Sequence, residues 1–168
     1  MRGVLTARGR ELRRADGGGV DVAYRVIFIQ QVMIRVLRQG LEDRPLIEST
    51  GALRDYAMMR QGFLAHEEVR AFYLDAGNHL IREELMNRGT VDESSIYVRE
   101  MLARGLELGA AGLVLLHNHP SGDPVPSSTD REITRSLSQA GKFMGLRLLD
   151  HLIVARGRYY SFHEAGLL

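Results

Sequence analysis

His117 and His119 lie two residues apart, and a hydroxyl and a carboxylate follow at Ser127 and Asp130. The histidines come directly after an uninterrupted apolar run, Ala111–Leu116, short enough for a buried strand. At the end of a strand, side chains two apart point to the same side; on a helix they would diverge by roughly 200°. The strand context therefore lets both imidazoles converge on one point. Pro120, Pro124 and Pro126 stiffen the loop that follows, and Gly122 lets it bend. Ser127 is suited to cap the next helix, which places Asp130 in its first turn, where a carboxylate is favoured. Two imidazoles and a carboxylate, with a fourth position left for water, are the ligand set of a catalytic zinc site, so His117, His119 and Asp130 are the candidate Zn2+ ligands. Such a site makes water nucleophilic near neutral pH. It also wants a carboxylate base outside the ligand set, and Glu83 or Glu84 on an earlier strand could supply it; strand alternation alone does not choose between them.

These residues need elements to hold them. Residues 1–19 read as an Arg-rich solvated tail ending in Gly17–Gly19, and with no GK[ST] following, those glycines are not a phosphate loop. From Val20 to about Gly40, Val22, Val26, Ile29, Met33, Val36 and Leu37 recur at helical spacing. Ile27 and Ile34 widen the apolar face, which predicts docking on the domain or on a second copy in a homodimer. A shorter helix is predicted over Gly51–Gln61, capped by Ser49 or Thr50. Val69–Ala76 and Leu80–Met86 read as a hairpin turning at Gly77–Asn78. A helix over Arg99–Leu108 precedes the buried strand, and Ser128–Gly141 is helical. Leu146–Ala155 and Tyr159–Phe162 are strands joined at Arg156–Gly157–Arg158. The interleaving predicts an α/β (α+β) class with a mixed sheet. Asp150–His151 could be a second metal pair, but adjacent strand residues face opposite ways, so a structural role such as Asp150 buttressing the loop is expected. His66, His79 and His163 read as surface residues.

Composition narrows the class. The chain has 168 residues, 45% hydrophobic and 26% charged, with no cysteine. It is long enough for one sizeable core, and disulfides, Cys-ligated metals and thiol catalysis are excluded. No apolar run approaches the ~18 residues of a membrane span, no secretory signal is evident, and a cytoplasmic location is expected. The net charge of +1 argues against a strong nucleic-acid footprint. Lys142 is the only lysine, which reads as a codon bias towards arginine.

The run from His117 through Asp130, HNHPSGDPVPSSTD, resembles the HxH-x7-SxxD signature of the JAB/MPN (JAMM) metalloprotease superfamily, and more narrowly its bacterial RadC-like branch. Glu84 with Gly89-Thr90, Arg99-Glu100, Leu149-Asp150-His151 and the closing stretch from Ser161 to Leu168 agree. The resemblance spans roughly Pro45–Leu168, dividing the chain into a tail and apolar helix at 1–44 and a JAB-like domain at 45–168. It implies cytidine-deaminase-like layering, zinc on His117, His119 and Asp130, a glutamate base mapped to Glu84 by its offset from Gly89-Thr90, and oxyanion support from Ser127. Two departures stand out: Val98 occupies a position where the family usually has proline, and the helix-hairpin-helix region common in RadC-like chains is not found in the first 44 residues. The expected activity is zinc-dependent hydrolysis of an amide or isopeptide bond in a protein or peptide; the alternative is a DNA-repair-associated binding module with a structural metal.

Overall fold

The computed structural model describes residues 20–43, 45, 46, 50–88 and 94–168. The expected tail at 1–19, the Ser49 cap and the Gly89-Thr90 block lie outside them. Helices α1 (Val20–Glu42) and α2 (Thr50–Gln61) precede strands β1 (Glu68–Leu74) and β2 (Leu80–Arg88). Helix α3 (Ser94–Glu107), strand β3 (Gly112–Asn118), helix α4 (Ser128–Phe143) and strands β4 (Arg147–Ala155) and β5 (Arg158–Ser161) complete the chain. The five strands form one sheet in the order β2-β1-β3-β4-β5. Only β3 and β4 run parallel, joined by a crossover through α4; the other pairs are antiparallel. The mixed sheet between helices is the α+β architecture that the patterning predicts.

Turn chemistry sets the hairpins. Asp75 Oδ1 accepts the backbone N–H groups of Gly77 and His79 at 2.8 and 2.9 Å, and Asn78 takes φ 62°, a conformation its short polar side chain tolerates. Arg156 and Gly157, both at positive φ, make the two-residue turn between β4 and β5 that right-handed strand twist favours.

Strand alternation divides the core between the two sheet faces. Phe72, Leu74, Val114, Leu116, Leu152 and Val154 pack under Leu53, Tyr56 and Ala57 of α2 and Leu41 of α1. Ala71, Tyr73, Leu113, Leu115 and Leu148 pack under Met101 and Leu102 of α3 and Ile133 and Leu137 of α4. Every residue of β1 and β3 is buried. The sequence places His117 and Asn118 beyond the strand, but β3 runs through both, because His117 pairs with Ile153 and Asn118 with Val154 on the parallel neighbour.

Helix α1 docks over part of its length only. Ile34, Leu37 and Leu41 join the α2-side core, whereas Tyr24, Phe28 and Val36 are 62%, 70% and 63% exposed. If this outer face is the seam of a homodimer, the double substitution Ile29→Glu/Val36→Glu should halve the mass measured by light scattering while leaving the circular-dichroism spectrum unchanged. An unchanged mass would remove α1 as the seam.

Candidate metal centre

The end of β3, the loop after it and the first turn of α4 meet at one point. Strand alternation turns the His117 side chain to the face that packs on α4, and its Nδ1 lies 3.0 Å from Asp130 Oδ1. His119 is tied back to β4 by its backbone N–H, which donates to the Val154 carbonyl at 3.0 Å. Its ring nitrogen Nδ1 lies 2.9 Å from the Asp123 carbonyl. A carbonyl can only accept, so Nδ1 carries the proton and Nε2 is turned towards Asp130 Oδ2, 3.3 Å away. A histidine fixed in this way through its second nitrogen is typical of metal ligands. The two imidazoles stand edge to face with centroids 4.9 Å apart.

Asp130 is placed by a capping box built on the Ser127 cap that the sequence suggests. Ser127 Oγ accepts the Asp130 N–H at 3.1 Å, while the Ser127 N–H and O–H both donate to Asp130 Oδ2, at 2.8 and 2.6 Å. The cap therefore serves helix and site together. In the loop, Gly122 has φ +89°, and a Cβ there would meet Arg156 Cδ at 2.9 Å; the Arg158 guanidinium donates to its carbonyl.

A second carboxylate completes the cleft. Glu67, immediately before β1, shares a wall with His117, His119 and Asp130, and its Oε2 is 3.9 Å from His117 Nε2. It reaches this point because β1 pairs directly with β3, Val69 standing opposite His117. Two residues before Val69, Glu67 faces the same side of the sheet.

The charges are strongly coupled. Burial would lower the pKa of His117, but the carboxylates of Asp130 and Glu67 outweigh it and lift the value to about 9. The Asp130 carboxylate raises His119 against the opposing effect of burial. Burial would raise Asp130, but the two imidazoles pull it far below the ordinary carboxylate range. The bond to His117 lowers Glu67. Two carboxylates converging on two imidazoles make a pocket that demands positive charge, whether from protons or from a cation.

A family model described as a RadC-like JAB domain matches residues 47–167. The chain belongs to the RadC-like JAB family. A UPF0758 protein of Rhodobacter capsulatus is 39% identical over 165 residues, covering 98% of this chain and 77% of the relative. One of Paracidovorax citrulli is 40% identical over 166 residues, covering 99% and 70%. One of Ruegeria pomeroyi is 40% identical over 165 residues, covering 98% and 74%.

In this RadC-like JAB chain the donor set fits a metal ion. His117 Nε2 is buried without a hydrogen bond, His119 Nε2 points to the same carboxylate, and the cleft is open to solvent on the Glu67 side. A second grouping exists, with one donor atom from each of His117, Asp130 and His151 within 4.8 Å of one another. His151 Nδ1 is taken by Thr134 Oγ1 at 2.7 Å. Its ring is stacked between His117 and Phe162, and burial, followed by the charge of His117, lowers its pKa to about 3. His151 thus stands fully buried behind the site with its Nε2 unpartnered, as His117 Nε2 is, and His119 lies on the more exposed side.

Glu84 is not brought to this cluster. Its strand, β2, is separated from β3 by β1, and Glu84 pairs with Ala71, which stands opposite Leu115 rather than His117. That puts it on the order of 10 Å away along and across the sheet. There Arg104 Nε and Nη2 hold its carboxylate at 2.9 and 2.7 Å. The structure thus brings Glu67 to this cluster and not Glu84, the position that the resemblance implies. Glu83 lies on the opposite face, bonded to Tyr56 and Arg70. The Ser127 hydroxyl is spent on Asp130, so what the structure displays is its positioning of the carboxylate. Asp150 buttresses the C-terminal turn instead of the loop, accepting from Ser161 Oγ and the His163 N–H at 2.7 and 3.0 Å. His66 lies at the surface as expected, its side chain 42% exposed and its Nε2 3.1 Å from Glu68 Oε1.

Proposed function

We propose that residues 45–168 form a cytoplasmic zinc-dependent hydrolase that cleaves amide or isopeptide bonds in a protein or peptide. The observation that supports it is the meeting of Glu67 with His117, His119 and Asp130 in one solvent-open cleft. A purely structural metal site would be closed by its ligands and would need no extra carboxylate. His117, His119 and Asp130 would hold the ion. When bound, zinc supplies Lewis acidity, which polarises a carbonyl and brings water's pKa towards neutrality.

The chain's own residues do the rest. Glu67, outside the ligand set, accepts the attacking water's proton at its carboxylate and later delivers it to the leaving amine. Ser127 holds Asp130 in place; its hydroxyl is also the nearest candidate to support the oxyanion, which requires it to turn from Asp130. Two histidines whose pKa values are raised in the metal-free protein must give up protons when the ion enters, so affinity grows with pH. Among the described residues no helix is long and apolar enough to cross a membrane. The reading is tested by incubating the wild-type and Glu67→Gln proteins with a proteome and mapping new N-termini. Cleavage products that persist with Glu67→Gln would overturn it.

Metal content gives an independent check. Protein purified without chelator should carry about one zinc per chain. His119→Ala removes one of three protein ligands, and zinc affinity should fall by at least the 10–100-fold seen for losing even a supporting group. Elemental analysis showing no transition metal after zinc is added back would overturn the site.

A further inference from the structure

The residue between the two histidines faces the other way. Alternation turns Asn118 to the side of the sheet opposite His117, where it is 1% exposed. Its carboxamide makes two bonds. Oδ1 accepts the Glu68 N–H at 2.8 Å, and Nδ2 donates to the His66 carbonyl at 3.0 Å. One planar group thus grips the chain on both sides of Glu67. The orientation of the amide is unambiguous, because the Glu68 N–H can only donate and the His66 carbonyl can only accept.

The clamp stands where the sheet would otherwise let go. The ladder between β1 and β3 ends at Val69 and His117, and the next antiparallel pair would be Glu68 and Asn118. At that position the backbone of Asn118 belongs to the β4 side, so its side chain replaces the missing rung. The Glu68 carbonyl is tied separately by Gln61 Nε2 at 3.3 Å. Glu67 is the second residue beyond that ladder, flanked by the two residues that the clamp holds, and it approaches His117 to 3.9 Å.

We infer that Asn118 is a positioning residue that aims Glu67 at the metal cleft by bridging residues 66 and 68. The motif therefore carries the alignment of its own base: the outer histidines face the cleft, and the residue between them holds the base in register from behind. This rests on Glu67 being the base, but the clamp itself can be read without turnover.

Only a carboxamide supplies a donor and an acceptor at this spacing. Asn118→Asp keeps the size and the Glu68 bond but sets an acceptor against the His66 carbonyl. Asn118→Leu keeps the volume and loses both bonds. In the full chain, both variants should retain zinc by elemental analysis, since His117, His119 and Asp130 are untouched. Both should lose the nuclear Overhauser contact between the Glu67 side chain and the His117 ring, and the Glu68 amide should exchange at least tenfold faster in Asn118→Leu. In the proteome assay each should lose roughly 10²-fold or more of the new N-termini, with no further loss when combined with Glu67→Gln. A merely structural role would lower yield through lost zinc or fold and would leave the Glu67–His117 contact intact. Retention of that contact in either folded variant overturns the clamp. If the contact is lost while Glu67→Gln still cleaves, the clamp stands and the base assignment falls. Should Asn118→Leu fail to fold, Asn118→Asp decides alone.

Discussion

Glu67→Gln should abolish hydrolysis while leaving zinc content and melting temperature near wild type. The substitution keeps size and hydrogen-bonding capacity but cannot accept a proton, and losing a general base costs about 10²–10⁴-fold. The fold should tolerate it, because the side chain is 34% exposed and outside the core. Glu84→Gln is the matched control. Its carboxylate is held by Arg104 on α3, with side-chain exposures of 36% and 27% for the arginine and glutamate; a pair so open to water contributes little to stability. Turnover should stay at wild-type level. If Glu84→Gln abolished cleavage and Glu67→Gln did not, the structural assignment of the base would be wrong. If Glu67→Gln stripped the zinc, Glu67 would be a ligand and the position assumed open for water would be closed.

The contrast between these two glutamates marks where sequence reasoning reaches its limit. The meeting of His117, His119 and Asp130 was legible because its geometry is local: a strand end brings the two histidines together, and a cap three residues before Asp130 fixes the carboxylate. The elements were legible too, since the hairpin turn at Gly77–Asn78, the buried run before His117 and the helix after Ser127 each carry a short-range signal. The base depends on which strand lies beside β3, and that is a non-local fact. The hairpin reading starts its first strand at Val69 and looks for the base among Glu83 and Glu84 of the second strand, and the offset from Gly89-Thr90 then chooses Glu84. Carrying the alternation back from Val69 by two residues puts Glu67 on the face of Val69. Only the pairing of Val69 with His117 brings that face to the His117–His119–Asp130 cluster. The outer face of α1 is a similar case, because a wide apolar stripe in sequence does not say which part of it the domain covers.

Glu83, the neighbour of Glu84, should show the opposite behaviour: a large effect on stability and none on the zinc site. Its side chain is 5% exposed and that of Arg70 is 9% exposed. Tyr56 Oη donates to the Glu83 carboxylate at 2.8 Å, Arg70 Nη1 donates at 2.9 Å, and Arg70 Nη2 continues to Glu68 Oε2 at 3.2 Å. Burial, reinforced by the Glu83 charge, pushes the Tyr56 hydroxyl well above its ordinary pKa, so it remains a donor at all ordinary pH. Glu83→Ala would leave a buried guanidinium sharing one carboxylate with His66 and a buried phenol without its acceptor. Breaking a buried pair from one side costs about 3–5 kcal/mol, a large part of the 5–15 kcal/mol typical of a domain. At about 2–4 °C per kcal/mol for a chain of this size, the melting temperature should fall by roughly 10 °C. Replacing both partners, as in Glu83→Leu/Arg70→Met, should recover only part of the loss: the Arg70 guanidinium is no longer stranded, but buried Glu68 loses its bond to Arg70 and Tyr56 still lacks its acceptor. Glu83→Gln should fall between, keeping an acceptor for Tyr56 while losing the charge opposite Arg70. Calorimetry on the zinc-loaded chain checks the series. A Glu83→Ala protein melting within about 2 °C of wild type would show that the network is not buried as the structure has it.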